Sequence, residues 1–343
     1  MSSHLRPPRS RATGRITLAD VARLAQVSPI TVSRALRGER AVDVELVARV
    51  QAAAKELGYV PDPAARALAS RHSAQVVTLI PMLSNALFVD VLEAVQRTLR
   101  PAGYQMLMGV THYDANEEEL LLRELLQHRP AGLLVTGFER NEATRQMITK
   151  SGVPCVHLME ISDTAGVYSV GFSQTEAGAE ITQHLLQRGR QRIAFVGAQL
   201  DPRTLQRLAG WRQALKQAGR FDPRLEWLNP APSSMALGAG LLAQIRQAQP
   251  DVDAIFFCND DLAQGALLAA LRLGIAVPGQ LAIAGFNDLP GSDQMLPPLT
   301  TMRTPRSEIG SAAASMLVSL INGEAVTPSC INLGHQLIVR AST

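Results

Sequence analysis

The chain has 343 residues, 46% of them hydrophobic and only 18% charged. That balance excludes a disordered polymer and leaves room for two or three domains and a large core. No uncharged apolar run of about 18 residues occurs, so no membrane span is expected, and the basic start MSSHLRPPRSRATGR lacks the apolar stretch of a secretory signal. The net charge of +3 is unevenly spread: residues 1–72 hold 12 Lys or Arg against 6 Asp or Glu, and the remainder holds 21 against 24. A basic end on a mildly acidic body suits a polyanionic partner at that end, although a solvated surface gives the same count.

Residues 1–15 read as a flexible basic arm, with four arginines, two prolines and no acid. Thr17–Arg34 then reads as two short helices joined by a tight turn. Thr17 is a suitable N-cap and Asp20 sits in the first turn, where an acid favours a helix start. Val21, Ala22 and Ala25 share one face, and Gln26-Val27 turns the chain. Ser28 caps the second helix and Pro29 takes its first position, where a missing N–H costs nothing. Val32, Ala35 and Leu36 face inward, leaving Ile30, Thr31, Ser33 and Arg34 on the other side. Gly38 is expected to end this helix. Asp43–Leu57 forms a third, with Val44, Val47, Val50, Ala54 and Leu57 on its apolar face and Gly58 as its C-terminal stop. The three make a module of about forty residues, which is a marginal core by itself.

The run TLADVARLAQVS followed by TVSRAL resembles the DNA-binding headpiece of the LacI/GalR family of bacterial repressors. The resemblance implies a helix-turn-helix over residues 16–61 whose second helix enters the major groove. Thr17, Ser28, Thr31 and Ser33 would hold phosphates. Arg34 would read a guanine and Ile30 a thymine methyl, with Pro29 beside them offering no donor. It also implies a hinge helix in residues 62–73, capped by Asp62 and opened by Pro63. There Ala65 lies on a small apolar face, and Leu68 wedges into the minor groove of a pseudo-palindromic operator held by a homodimer. An ordinary linker is the alternative for that segment.

From residue 74 the pattern alternates. Strands are expected at Val76–Ile80, Tyr104–Val110, Gly132–Thr136, Val153–Leu158, Ile193–Gly197, Ala254–Cys258 and Leu281–Gly285. Helices are expected at Glu117–His128, Glu176–Arg188, Leu205–Ala218 and Leu262–Leu273. Short buried strands at this rhythm indicate two parallel sheets in βαβ units. The fold class is thus an all-α helix-turn-helix headpiece plus an α/β two-lobed core, like that of periplasmic binding proteins, over residues 74–343.

Ligands in such cores bind at the carboxyl ends of the strands. The loops there supply Ser84, Asn85 and Phe88, then Glu160, Arg203, Asn259 and Asn287 as candidate effector contacts. Ser84 and Asn85 are also candidate helix caps. A guanidinium at Arg203 can fork onto a carboxylate, with Arg207 as its rival. Asn287 stands where many members of the resembling family carry aspartate, so an anionic ligand meets one negative charge fewer. Asp260-Asp261 fits either this site or an ordinary helix start.

VGFSQTEAG at 170–178, AQLDPRTLQ at 198–206 and FCNDDLAQGA at 257–266 resemble the gluconate-utilisation branch of the family. That resemblance implies a sugar-acid effector: gluconate, 6-phosphogluconate or 2-ketogluconate. A neutral sugar is the alternative. Effector binding would move the lobes and unpair the hinge helices, and in some family members the ligand instead strengthens DNA binding. Cys155, Cys258 and Cys330 are too dispersed for a metal knuckle or a disulfide framework, and His112, His128, His157, His184 and His335 show no ligand spacing. No cofactor, metal or catalytic residue is expected. The chain reads as a cytoplasmic regulator and not an enzyme, the alternative being a sugar-binding or sugar-converting protein with an incidental N-terminal extension. No leucine heptad follows Leu337, so a terminal coiled coil is not expected.

Overall fold

A computed structural model describes residues 16–36, 43–60, 73–84 and 86–343. The arm at 1–15, Gly38, Asn85 and the hinge segment with Ala65 and Leu68 lie outside the described residues. The chain divides into two compact units, Met1–Ser73 and Ala74–Thr343.

The first unit contains α1 (Leu18–Leu24), α2 (Pro29–Leu36) and α3 (Val44–Leu57). At the start of α1, the Thr17 backbone N–H and hydroxyl both donate to the Asp20 carboxylate, at 2.9 and 2.7 Å. The turn between α1 and α2 passes through Gln26 at φ +54°, with the Val27 N–H donating to the Ala22 carbonyl. Asp43 caps α3 by accepting from the Glu45 and Leu46 N–H groups, and Gly58 ends it at φ +64°. The core is Val21, Ala22, Ala25, Val32, Ala35, Val50 and Ala53. Val44 is not part of it. It is 83% exposed, because the first position of α3 points away from α1 and α2, and Ala53 takes an inward place instead.

The second unit has two six-stranded sheets. The first sheet comprises β1 (Gln75–Ile80), β2 (Gln105–Val110), β3 (Gly132–Thr136), β4 (Cys155–Met159), β5 (Tyr168–Gly171) and β11 (Cys330–Asn332), in the order β11-β5-β4-β3-β1-β2. The second comprises β6 (Ile193–Ala198), β7 (Glu226–Asn229), β8 (Ala254–Phe257), β9 (Ala282–Asn287), β10 (Thr300–Arg303) and β12 (Gln336–Ile338), in the order β12-β10-β9-β8-β6-β7. All pairs are parallel except β10 with β12. The registers Ile80↔Val110 and Thr136↔Leu158 align the carboxyl ends of the first sheet along one edge, and Val196↔Phe257 does so in the second.

Helices cover both sheets: α4 (Leu87–Leu99), α5 (Ala115–Leu126), α6 (Glu142–Ser151), α7 (Gln174–Gln187), α8 (Pro202–Gln217), α9 (Met235–Ala248), α10 (Asp260–Leu273) and α11 (Arg306–Ile321). The chain passes from lobe 1 to lobe 2 after β5. It returns after β10, because α11 packs on α4 and on β3, β4 and β5. No helix of the described residues is long and apolar enough to cross a membrane.

Several expected boundaries shift for local reasons. Helix α8 starts three residues earlier than expected, because Asp201 accepts from the Arg203 N–H and Pro202 takes the first turn. Strand β9 runs two residues beyond Gly285, so Asn287 closes the strand. Helix α4 follows Ala86 with no side-chain cap, so Ser84 does not cap it. Strands β5, β7, β10, β11 and β12 have three or four residues each, too few for a hydrophobic period to be read.

Candidate functional site

In the first unit, α2 turns Val32 and Ala35 into the core and leaves Ser28, Pro29, Ile30 and Arg34 exposed, with Thr31 and Ser33 half-buried. Ile30 is 66% exposed, on the outward face of α2. The hydroxyls of Ser28 and Thr31 are 2.8 Å apart, and the Thr31 N–H donates to Ser28 Oγ. The Thr17 hydroxyl is likewise engaged by Asp20, whose carboxyl is held below its usual range chiefly by those Thr17 hydrogen bonds. Local hydrogen bonds thus order these hydroxyls at the starts of α1 and α2.

In the second unit, the strand ends converge on a cavity of about 610 Å³. Its lining includes Tyr113, Glu118, Arg140, Glu160 and Arg203. A smaller recess of about 50 Å³ shares Tyr113 and Arg203 and adds Ser84, Arg207 and Asn259. The surrounding backbone is bent. His112, Tyr113, Met159, Gln199, Leu200, Asn287 and Asp288 all have positive φ without being glycine. Such conformations persist only where the neighbouring structure imposes them, and they cluster at functional sites.

Arg203 and Glu160 meet here from opposite lobes, at 3.6 Å, each only about 5% exposed (5% and 6%). Asp201 lies 3.2 Å from the same guanidinium. Burial acts to lower the pKa of Arg203, but Asp201, Tyr113 and Glu160 outweigh it and hold the pKa above its ordinary value. Glu160 Oε2 accepts from Gln206 Nε2 at 2.9 Å, while Oε1 has no hydrogen-bond partner among the described residues. Arg207 is buried beneath. It donates to Gln174 Oε1, the Cys258 carbonyl and Asn259 Oδ1 at 2.8, 2.7 and 3.1 Å, and it stacks 3.9 Å from the Phe286 ring centroid. Burial lowers its pKa. Asn287 Nδ2 donates to the same Asn259 Oδ1 at 3.1 Å, and Asn287 Oδ1 is buried without a hydrogen-bond partner among the described residues.

Ser84, Glu160, Arg203 and Asn259 therefore line one cleft, and Asn287 joins them through Asn259. Phe88 does not. It is 1% exposed and sits with Leu87, Val91, Val95 and Leu99 on the buried face of α4, so its expected role as an effector contact is corrected to a core one. Asp260 serves the site from behind. Its buried carboxylate accepts from the Thr301 hydroxyl, the Leu289 N–H and the Ser292 hydroxyl at 2.6, 2.6 and 3.0 Å, and burial raises its pKa to about 6.

Sequence reasoning missed Tyr113 and the Glu118–Arg140 pair, whose atoms approach to 2.9 Å with side chains 9% and 1% exposed. The available signal was positional, since Thr111-His112-Tyr113 and Phe138-Glu139-Arg140 follow β2 and β3 just as the surveyed loops follow other strands. Arg140 also donates to the Gly137 and Thr136 carbonyls. His157 Nδ1 donates to the Gly137 carbonyl at 2.8 Å, its ring stacks on Phe138, and burial pulls its pKa down to about 4.

A helix-turn-helix unit joined to a two-lobed core with a polar cleft defines a ligand-responsive DNA-binding regulator. The family model described as bacterial regulatory proteins, lacI family, matches residues 17–62, and that of the periplasmic binding protein-like domain matches residues 182–343. The chain is 55% identical over 334 residues, 97% of each chain, to the HTH-type transcriptional regulator GntR of Pseudomonas aeruginosa. Among solved structures, transcription regulator GntR from Chromobacterium violaceum is 50% identical with a TM-score of 0.77, covering 78% of this chain and 98% of that one. The lac repressor dimer bound to operator shares the fold, at 24% identity and a TM-score of 0.85 over 96% of this chain and 99% of that one. The chain belongs to the lacI family of bacterial regulatory proteins, which bind DNA and control transcription.

Proposed function

We propose that this regulator represses transcription as a homodimer on a pseudo-palindromic operator and that a small sugar acid, gluconate or 6-phosphogluconate, controls its operator affinity. Residues 1–15 form a basic arm, 16–61 the DNA-binding domain, 62–73 the hinge helix, and 74–343 the effector-binding and dimerisation domain. In the DNA-binding domain, Arg34 and Ile30 read bases beside Pro29, and Thr17, Ser28, Thr31 and Ser33 contact phosphates. Ala65 and Leu68 act in the minor groove. Ser84, Asn85, Glu160, Arg203, Asn259 and Asn287 contact the effector. The chain acts in the cytoplasm and is not an enzyme.

The carrying observation is the buried approach of Arg203 to Glu160 across the cleft, at 3.6 Å. A guanidinium offers two parallel donors that match a carboxylate, and Glu160 Oε1, ion-paired with Arg203 but without a hydrogen bond among the described residues, accepts from a hydroxyl on the same molecule. A polyhydroxylated acid carries both groups, whereas a neutral sugar brings no carboxylate to the Arg203 fork. The 50% and 55% identity to two proteins named GntR supports the same branch.

Calorimetric titration of the full chain with gluconate, 6-phosphogluconate, 2-ketogluconate, a neutral pentose and a purine base tests this. Binding of a sugar acid alone is expected. Binding of the pentose or the purine instead would overturn the effector assignment.

A further inference from the structure

The corner where β9 ends is held from two sides. Asn287 and Asp288 have φ +108° and +53°, in the left-handed region that side-chain-bearing residues occupy only under constraint. Part of the constraint comes from lobe 2 itself. The Asp288 carboxylate accepts from Arg303 Nε at 2.8 Å and from Arg340 Nη2 at 2.7 Å, and the Leu289 N–H donates to Asp260. The remainder comes from lobe 1. Arg306 opens α11, which packs on the lobe 1 strands β3, β4 and β5. Its Nη1 donates to the Asn287 carbonyl, and its Nη2 lies 3.5 Å from the Asp288 carbonyl. Its Nε donates at 2.8 Å to Asp90 on α4, which packs against α11.

One guanidinium thus spans the lobes. Its back is fixed to a lobe 1 carboxylate, and its front grips the backbone of the residue whose side chain reaches Asn259. The rigid planar fork sets the directions of all these bonds at once, which an ammonium on a flexible stem cannot do. Rotation of one lobe against the other must either break the bond to the Asn287 carbonyl or pull the corner with it. We propose that Arg306 is a positioning residue that couples Asn287 in the effector cleft to the arrangement of lobe 1, so that the lobes sense effector at Asn287 through this guanidinium. The coupling role rests on the reading of the cleft as an effector site, whereas the restraint on the corner does not.

Two measurements on the full chain decide it. The first is hydrogen exchange without ligand. Arg306→Gln should speed exchange of the Asp288 and Leu289 amides by about tenfold, Arg306→Lys should speed it less, and β1 should not change. Unaltered exchange at Asp288 and Leu289 would overturn the proposal. The second is the ratio of operator affinities without and with gluconate. Arg306→Gln should bring this ratio about tenfold closer to one, a change in the range typical of coupling between sites, with partial recovery in Arg306→Lys. Asp90→Asn, which leaves a polar side chain at a half-exposed helix position, should fall between wild type and Arg306→Gln. A wild-type ratio in Arg306→Gln, or an equal loss of operator affinity with and without gluconate, would overturn the coupling role. If the wild-type chain does not respond to gluconate, the effector assignment fails and the exchange result still decides the role of Arg306.

Discussion

Arg203 and Glu160 face each other across the cleft at 3.6 Å, one from the first turn of α8 in lobe 2 and the other from the end of β4 in lobe 1. An acid effector that reaches Arg203 competes with a resident carboxylate and brings hydroxyls to the oxygen that carboxylate leaves unbonded. Specificity for a sugar acid over its neutral aldose then resides in one guanidinium fork.

Arg203→Lys keeps the charge that Asp201 and Glu160 need but removes the fork. Its affinity for gluconate should fall about tenfold, the order expected for one charge-assisted hydrogen bond, with little change in melting temperature. Arg207→Lys should lower both, because the Gln174, Cys258 and Asn259 groups it satisfies are buried. Calorimetry and melting of the two variants together would place the effector carboxylate on Arg207 if Arg203→Lys binds normally and Arg207→Lys loses binding without losing stability.

Gly210 lets α8 lie directly against α7. A Cβ added there would stand 2.0 Å from the Thr175 carbonyl oxygen and 2.6 Å from the Ala179 nitrogen, both backbone atoms that cannot rotate away. Gly210→Ala should therefore push the helices apart and cost about 1–3 kcal/mol or more. Because α8 carries Arg203 and Arg207, gluconate affinity should fall with the melting temperature. Wild-type affinity in a destabilised variant would show that the arginines do not depend on this packing.

The helix-turn-helix was legible because its signals are local: a capping acid at Asp20, a proline at the first position of α2, and small residues on facing surfaces. The βαβ rhythm was legible because buried parallel strands are short apolar runs. The return of α11 to lobe 1 was not, since nothing in the sequence near Thr304-Pro305 states which sheet the next helix covers. Phe88 was misplaced because a residue in the first turn of an amphipathic helix faces the core or the cleft according to a rotation that only packing sets. Glu118 and Arg140 are 22 positions apart and look like two solvated charges until the fold brings the start of α5 beside the loop after β3.

Asp260 makes a signed pH prediction. Its folded pKa of about 6 stands above the ordinary aspartate value of 3.8, so the folded chain binds the extra proton between those values. The contribution of this group to stability is full below about pH 4 and is lost as pH rises to about 6, by an amount on the order of 3 kcal/mol. His157 runs oppositely, with its contribution lost as pH falls from about 6.5 to about 4, so the wild-type curve alone does not separate the two. The difference in melting temperature between wild type and Asp260→Asn should shrink from pH 4 to pH 6.5. A difference independent of pH would mean that Asp260 stays ionised throughout.

Arg34 should discriminate bases. On the sequence that the full chain enriches from a random DNA library, Arg34→Ala should cost roughly 1–3 kcal/mol and relax one base position, with a smaller loss on scrambled DNA. Equal losses on both would assign Arg34 to a phosphate.

Control of operator binding by a sugar acid is tested most directly by fluorescence anisotropy of the full chain on that enriched operator, titrated with gluconate and, separately, with glucose. Gluconate should change operator affinity by about tenfold or more, and glucose, which lacks the carboxylate, should leave it unchanged. An operator affinity indifferent to gluconate, or one that responds equally to glucose, would contradict control by a sugar acid.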